Sequence, residues 1–222
     1  TVLFRHEQTF YHPTGLAILV EDTEVNLENK INEINNLIFE RVAQILKVNL
    51  IALKNSSNDP LKFASSVKTT IEKSKLPLVL MSDNPASIEE ALKVCAVQKP
   101  LIYSANSGNY EKIAGLAKQY NVPLVVSGKD LDELSDLTQK IGSLGVSDLI
   151  LEPIKDNFIS KVSDLVQIRR LALKKTFRPL GYPTLAKVTA GNSYDELSQT
   201  GALICKYAGI VILSGVELWE HF

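Results

Sequence analysis

The chain has 222 residues, a formal net charge of −1 and 45% hydrophobic residues. That length suits one barrel of about 250 residues or a pair of small domains, with enough apolar side chains for a sizeable core. Lys and Arg are spread along the chain with no basic stripe of the kind that binds nucleic acid, and no acidic tail is present. The longest apolar runs, such as Ile210 to Leu213, are too short to span a membrane, and no signal peptide opens the chain. Cys95 and Cys205 are the only cysteines. Neither sits in a CxxC pair, which argues against an iron–sulfur cluster or zinc site built from this chain alone and sets a reduced, cytoplasmic setting as the expectation.

The elements alternate between short apolar runs and amphipathic stretches, about eight times. Val2 to Phe4 and Thr9 to Tyr11 read as a hairpin that plugs the lower end of a barrel, broken by His12 and Pro13. The first barrel strand is Leu16 to Val20, ending at Glu21 and Asp22. Leu27, Ile31, Ile34, Ile38, Val42 and Ile45 recur at helical spacing and predict one helix over Val25 to Leu46. Strand two is Leu50 to Leu53, followed by Lys54 and Asn55. Asp59 and Pro60 then open a helix as N-cap and first residue.

Strand three is Leu78 to Met81, and Ser82-Asp83-Asn84-Pro85 repeats the cap-and-proline pattern. Strand four is Leu101 to Tyr103, with a helix stitched by Tyr110, Ile113, Leu116 and Tyr120. Strand five, Leu124 to Val126, stops at Ser127-Gly128, and its helix runs from Leu131 to Leu144. Strand six, Leu149 to Leu151, ends at Glu152-Pro153, and its helix covers Phe158 to Leu173. Strand seven is Thr184 to Val188. Ser193-Tyr194-Asp195-Glu196 matches an S-x-x-E capping box. Strand eight is Ile210 to Leu213, with only a stub of helix beyond Gly215. Continuous apolar strands alternating with helices predict an α/β fold, a (β/α)8 TIM barrel. Residues 1–222 read as a single barrel domain with an N-terminal hairpin extension. A first residue other than Met and an end just past the last strand suggest a domain excised from a longer polypeptide.

Active sites of such barrels lie at the C-terminal ends of the strands. The groups expected there are Glu21, Asp22, Lys54, Asn55, Asp83, Asn84, Tyr103, Asn106, Lys129, Glu152, Asn192 and Ser214. Most have a structural role to weigh against a chemical one. Asp83 and Asn84 read first as helix caps, Glu152 as a strand-end carboxylate and Lys129 as a solvated loop lysine. Ser127-Gly128 and Ser214-Gly215 are weak candidates for phosphate. His6, His12 and His221 all fall away from the strand ends, which argues against a His-based metal site or a Ser/His/Asp triad. No catalytic residue and no metal ligand is assigned.

The stretch Pro77 to Pro85, followed by Ile88-Glu89-Glu90-Ala91-Leu92 and Pro100 to Ala105, resembles strand–loop units of the pterin-binding, dihydropteroate-synthase-like barrels. The two ends carry a narrower likeness. Thr1 to Glu7, Thr9 to Pro13, Lys206 to Ser214 and Glu217-Leu218-Trp219-Glu220 resemble the barrel domain of the corrinoid/iron–sulfur protein large-subunit family. That resemblance implies a domain of a methyl carrier, in which cobalt accepts a methyl group from a methylated pterin and passes it to acetyl-CoA synthase. The corrinoid and a [4Fe–4S] cluster are expected in flanking domains, with no cofactor in this chain. Implied partners are the small barrel subunit, a pterin methyltransferase and acetyl-CoA synthase, with neither nucleic acid nor membrane.

Pterin-binding relatives place Asp and Asn where this chain has Met81 and Tyr103, and a thioether offers no comparable hydrogen bond. The expectation is therefore a scaffold that has lost pterin binding and presents an apolar patch to a partner. The alternative is an autonomous barrel enzyme for a small anionic or pterin-like substrate, using Glu152, Lys129, Asp83 and Asn192. It requires a deep polar pocket and a carboxylate of perturbed pKa.

Overall fold

A computed structural model describes residues 14–215, apart from the side chains of Arg41 and Gln44. The expected N-terminal hairpin, Phe4, Phe10, His221, Trp219 and Phe222 lie outside the described residues.

Eight parallel strands form one sheet. They are β1 (Gly15–Glu21), β4 (Leu50–Lys54), β5 (Leu78–Met81), β6 (Leu101–Ala105), β7 (Leu124–Gly128), β8 (Leu149–Pro153), β9 (Leu185–Lys187) and β10 (Ile210–Leu213). The hydrogen-bonded order β8-β7-β6-β5-β4-β1-β10-β9 follows the chain around a ring. A parallel bridge between Leu151 and Thr184 closes it, with Leu151 N donating to Pro183 O at 2.7 Å. This is the predicted (β/α)8 barrel. Its strands are almost wholly buried because both faces are covered. One face fills the lumen with Ala17, Ala52, Val79, Met81, Leu101, Val125, Ile150, Leu185, Ile210 and Ile212. The other packs under the helices, where Ile18, Leu53, Leu80, Ile102, Leu124 and Val211 meet Ile31, Phe63, Ile88, Ile113, Leu134 and Ile168.

The helices are α1 (Leu27–Asn35), α2 (Pro60–Lys73), α3 (Pro85–Cys95), α4 (Tyr110–Tyr120), α5 (Leu131–Ser143), α6 (Phe158–Lys174) and α7 (Ser193–Cys205). Asp59 and Asn84 cap α2 and α3 as expected, each followed by proline at the first helical position.

Two expectations fail locally. The long first helix stops at Asn35, and β2 (Ile38–Arg41) and β3 (Gln44–Lys47) form an antiparallel hairpin instead. Asn35 ends the helix by bonding sideways: its Nδ2 donates to Lys73 O at 2.9 Å, and its Oδ1 accepts from Ser74 Oγ at 2.7 Å. That fixes the C-terminus of α1 to the C-terminus of α2. Ile31 and Ile34 are buried as the periodicity required, whereas Ile38, Val42 and Ile45 are exposed on the hairpin. The second failure is the capping box. Asn192, not Ser193, caps α7: Asp195 N donates to Asn192 Oδ1 at 2.9 Å, and Asn192 Nδ2 donates to Asp195 Oδ2 at 2.8 Å. Glu196 is thereby released from capping and turns inward, where it is buried.

Candidate functional site

At the C-terminal ends of the strands, Glu152 is the centre of the arrangement. Ser127 on β7 and Glu152 on β8 are register partners, so their side chains point the same way. Ser127 Oγ donates to Glu152 Oε2 at 2.6 Å. Tyr103 lies two strands away on β6, and its phenol donates to Glu152 Oε1 at 2.9 Å. Both oxygens of the one carboxylate are thus held by groups of the barrel itself, and the Tyr103 ring packs against the lumen layer.

Glu152 is buried, and loss of solvent pushes its carboxyl above the usual carboxylate range. The bonds from Ser127 and Tyr103 and the charges of Lys161 and Lys187 pull the other way without overcoming burial. The Tyr103 phenol is driven upward, first by burial and then by the charge and hydrogen bond of Glu152, so it stays a donor. Lys161, in the first turns of α6, is only 8% exposed. Its Nζ donates to Lys187 O at 2.7 Å, tying α6 to the end of β9. Burial lowers the Lys161 ammonium, the charge of Glu152 partly restores it, and Lys187 opposes it.

Around this centre the strand ends tie themselves together. Lys54 forms a 2.9 Å ion pair with Glu21 across β1 and β4 and holds the Glu21 carboxyl below its usual range. Buried Asp22 accepts from Ser56 N at 2.9 Å, from Ser57 N at 3.0 Å and from Ser57 Oγ. Asn55 Nδ2 donates to Ser82 Oγ at 3.1 Å. Glu196 accepts from Ser214 N, and from Ser214 Oγ at 2.9 Å.

Of the sequence candidates, the structure brings Tyr103 and Glu152 into contact, leaves the charge of Asp83 within reach of the Tyr103 phenol and pairs Lys54 with Glu21, while the others serve mainly local turns and caps. Asn84 caps α3, accepting from Ala86 N at 3.0 Å, and Asp83 is exposed in the loop. Asn106 Oδ1 accepts from Gly108 N at 2.9 Å within its own turn. Lys129 is exposed, its N–H donates to Glu133 Oε2 at 2.7 Å, and its carbonyl accepts from Lys155 Nζ. Asn192 is the α7 cap. In the two Ser-Gly phosphate candidates the Ser127 hydroxyl donates to Glu152 and the Ser214 hydroxyl to Glu196. Glu152 is more than a terminal carboxylate, because β8 runs on to Pro153 and carries it into the buried cluster.

Sequence reasoning missed Lys161, Lys187 and the role of Glu196. Lys161 was hidden inside a good helix, and its one signal is a lysine at an otherwise buried helical position. The described residues bring no three His, Cys, Asp or Glu side chains together to hold a metal ion. Cys95 is buried, with its thiol pushed up to about 12 by burial, and Cys205 is exposed.

Comparison with known proteins gives the fold and the family separately. The fold matches dihydropteroate synthase from Thermus thermophilus with a TM-score of 0.70 at 14% identity, covering 100% of this chain and 99% of that one. The enzyme from Vibrio fischeri gives a TM-score of 0.73 at 13% identity, covering 99% and 94%. In sequence, the chain is 43% identical to the corrinoid/iron–sulfur protein large subunit of Moorella thermoacetica, over 100% of this chain and 50% of that protein. It is 35% identical to the acetyl-CoA decarbonylase/synthase complex subunit gamma of Methanothermobacter thermautotrophicus, over 99% and 51%. The chain thus spans about half the length of these relatives. A family profile described as the CO dehydrogenase/acetyl-CoA synthase delta subunit matches residues 1–222 from end to end. With relatives at these identities along the same length, the chain belongs to the CO dehydrogenase/acetyl-CoA synthase delta subunit family.

Proposed function

We propose that this barrel is the scaffold domain of a corrinoid/iron–sulfur methyl carrier in the acetyl-CoA pathway, helping a methyl group pass from a methylated pterin to acetyl-CoA synthase. Support for the assembly comes from the relatives, which are named as a corrinoid/iron–sulfur protein large subunit and as a subunit of the acetyl-CoA decarbonylase/synthase complex. Support for a non-catalytic role comes from one observation: each oxygen of Glu152 accepts a hydrogen bond from the barrel's own side chains, Tyr103 and Ser127. On this reading the carboxylate serves first to tie the barrel strands together. Met81, buried at the end of β5, adds no polar contact of use to a pterin ring.

The corrinoid and the [4Fe–4S] cluster belong, on this reading, to other parts of the longer protein. The partners are the small barrel subunit, a pterin methyltransferase and acetyl-CoA synthase, and the setting is the cytoplasm. The described residues contain no helix long and apolar enough to cross a membrane.

A second reading has one observation in its favour. Glu152 is a buried carboxylate with a raised pKa, and two lysines lie in its field, as an autonomous enzyme acting on a small anionic or pterin-like substrate would require. A methyl-transfer assay separates the two. The chain is incubated with a methylated pterin and reduced free cobalamin, and methylcobalamin is followed by its absorbance. The scaffold reading expects no formation above the protein-free rate. Turnover that disappears in the Glu152→Gln variant would establish the enzyme reading instead.

A further inference from the structure

From Leu165 to Tyr194 the chain carries six basic residues, Arg169, Arg170, Lys174, Lys175, Arg178 and Lys187, and no Asp or Glu. This run corrects the reading of Lys and Arg as spread along the chain without a basic stripe, and it is invisible in a net charge of −1. The fold gathers five of the six. Arg169, Arg170 and Lys174 lie on the C-terminal half of α6, and Lys175 is its C-cap. Phe177 N donates to Leu171 O at 3.1 Å, which folds the next segment, with Arg178, back against the last turn of α6. Arg169 stacks over the Tyr207 ring at 5.4 Å, which brings in the end of α7 and the adjacent Lys206.

Helix-end cations complement the helix dipole, but that interaction is satisfied by one or two charges in the last turn. Among the described residues, Arg170, Lys174, Lys175, Arg178 and Lys206 form no ion pair. The acid nearest in sequence on α6, Asp164, is drawn towards the mouth by Lys155 at 3.4 Å. The same face carries a groove of about 450 Å³ lined by Ser163, Val166, Gln167, Arg170, Leu171 and Lys174, with Lys175 at its end. Ser163, Gln167, Arg170 and Lys174 are all exposed and follow one another at spacings of four, three and four residues. That is the seam a second helix reads along an α-helix, and it runs for about 16 Å at 1.5 Å per residue.

We propose that this face of α6 is a docking surface for an acidic helix of a partner protein. The basic row pairs with carboxylates, and Val166 and Leu171 receive apolar side chains between them. A protein partner fits better than nucleic acid. The whole chain has a pI near 6.3, whereas nucleic-acid domains are usually basic overall, and part of the groove floor is apolar. The proposal does not depend on the methyl-carrier reading.

The test uses a fluorescein-labelled amphipathic peptide of Glu and Leu with acidic and apolar faces, titrated with the folded chain at low ionic strength. A single-stranded DNA oligonucleotide of equal charge is titrated in parallel. Saturable binding of the peptide is expected, weakened about tenfold or more by R170E/K174E/K175E and about half as much on a logarithmic scale by the neutral R170Q/K174Q/K175Q. The control K62E/K68E on α2 should leave binding unchanged. Circular dichroism establishes that each variant is folded. No saturable binding of the peptide, binding indifferent to both triple variants, or tighter binding of the DNA would each overturn the proposal.

Discussion

The phenol of Tyr103 reaches from β6 past β7 to donate a 2.9 Å hydrogen bond to Glu152 Oε1 on β8. The strand between them supplies Ser127 to the other oxygen at 2.6 Å. Three consecutive strands are therefore fastened at their C-terminal ends by one buried carboxylate, in the place where a barrel enzyme would hold its substrate.

Removing the phenol oxygen leaves Glu152 Oε1 buried without a partner. Tyr103→Phe should destabilise the chain by about 1–3 kcal/mol, lowering the thermal midpoint by roughly 3–10 °C. Thermal and urea melts check this, and an unchanged midpoint would mean that water replaces the bond.

Glu152 also predicts a pH dependence of defined sign. The unfolded chain ionises this group near 4.5, and the folded chain does so at higher pH because of burial. Between those values the folded state keeps a proton that the unfolded state has released, so the group's favourable contribution is complete below pH 4.5 and is lost as pH rises through the folded value. The stability of the native chain minus that of Glu152→Gln should accordingly fall with rising pH in this window. Urea melts of both at several pH values provide the difference, and a difference that rises with pH contradicts the assignment.

Gly128 ends β7 against the first turns of α5. A Cβ there would lie 2.9 Å from Leu134 Cγ and 3.1 Å from Leu134 N. Because part of the obstacle is backbone, Gly128→Ala should cost about 1–3 kcal/mol in denaturant melts.

Val42 and Ala43 turn the β2–β3 hairpin with φ of 50° and 59°, both in the left-handed region. A β-branched residue is costly there, and Val42 is 91% exposed with no packing in return. Replacing the pair by Asn-Gly, the favoured sequence of such a turn, should stabilise the chain by about 1 kcal/mol. Equal or lower stability in urea would show that the native pair has contacts that offset its strain.

The barrel was legible in the sequence because short apolar runs such as Leu78–Met81 and Ile210–Leu213 alternate with amphipathic helices and are bounded by turn residues. The hairpin was not. Ile38, Val42 and Ile45 prolong the 3.6-residue period of α1, and what stops the helix is the bonding of Asn35 to Lys73 and Ser74, nearly forty residues later in the chain. The site divides in the same way. Asn84 was readable as a cap because its partner is two residues away. The Tyr103–Glu152 bond joins residues 49 apart and depends on strand order and stagger, which no local pattern encodes. Glu196 was assigned to a cap because an acid three residues after Ser193 fits that pattern, while the structure caps α7 one residue earlier.

The most direct test of the scaffold reading is a calorimetric titration of the chain with a methylated pterin at concentrations well above those used by pterin enzymes. With Glu152 held on both oxygens by Tyr103 and Ser127, the prediction is no saturable heat. A saturable isotherm that is lost in Glu152→Gln would contradict the account, because it would place a ligand at the carboxylate that the scaffold reading gives a structural role.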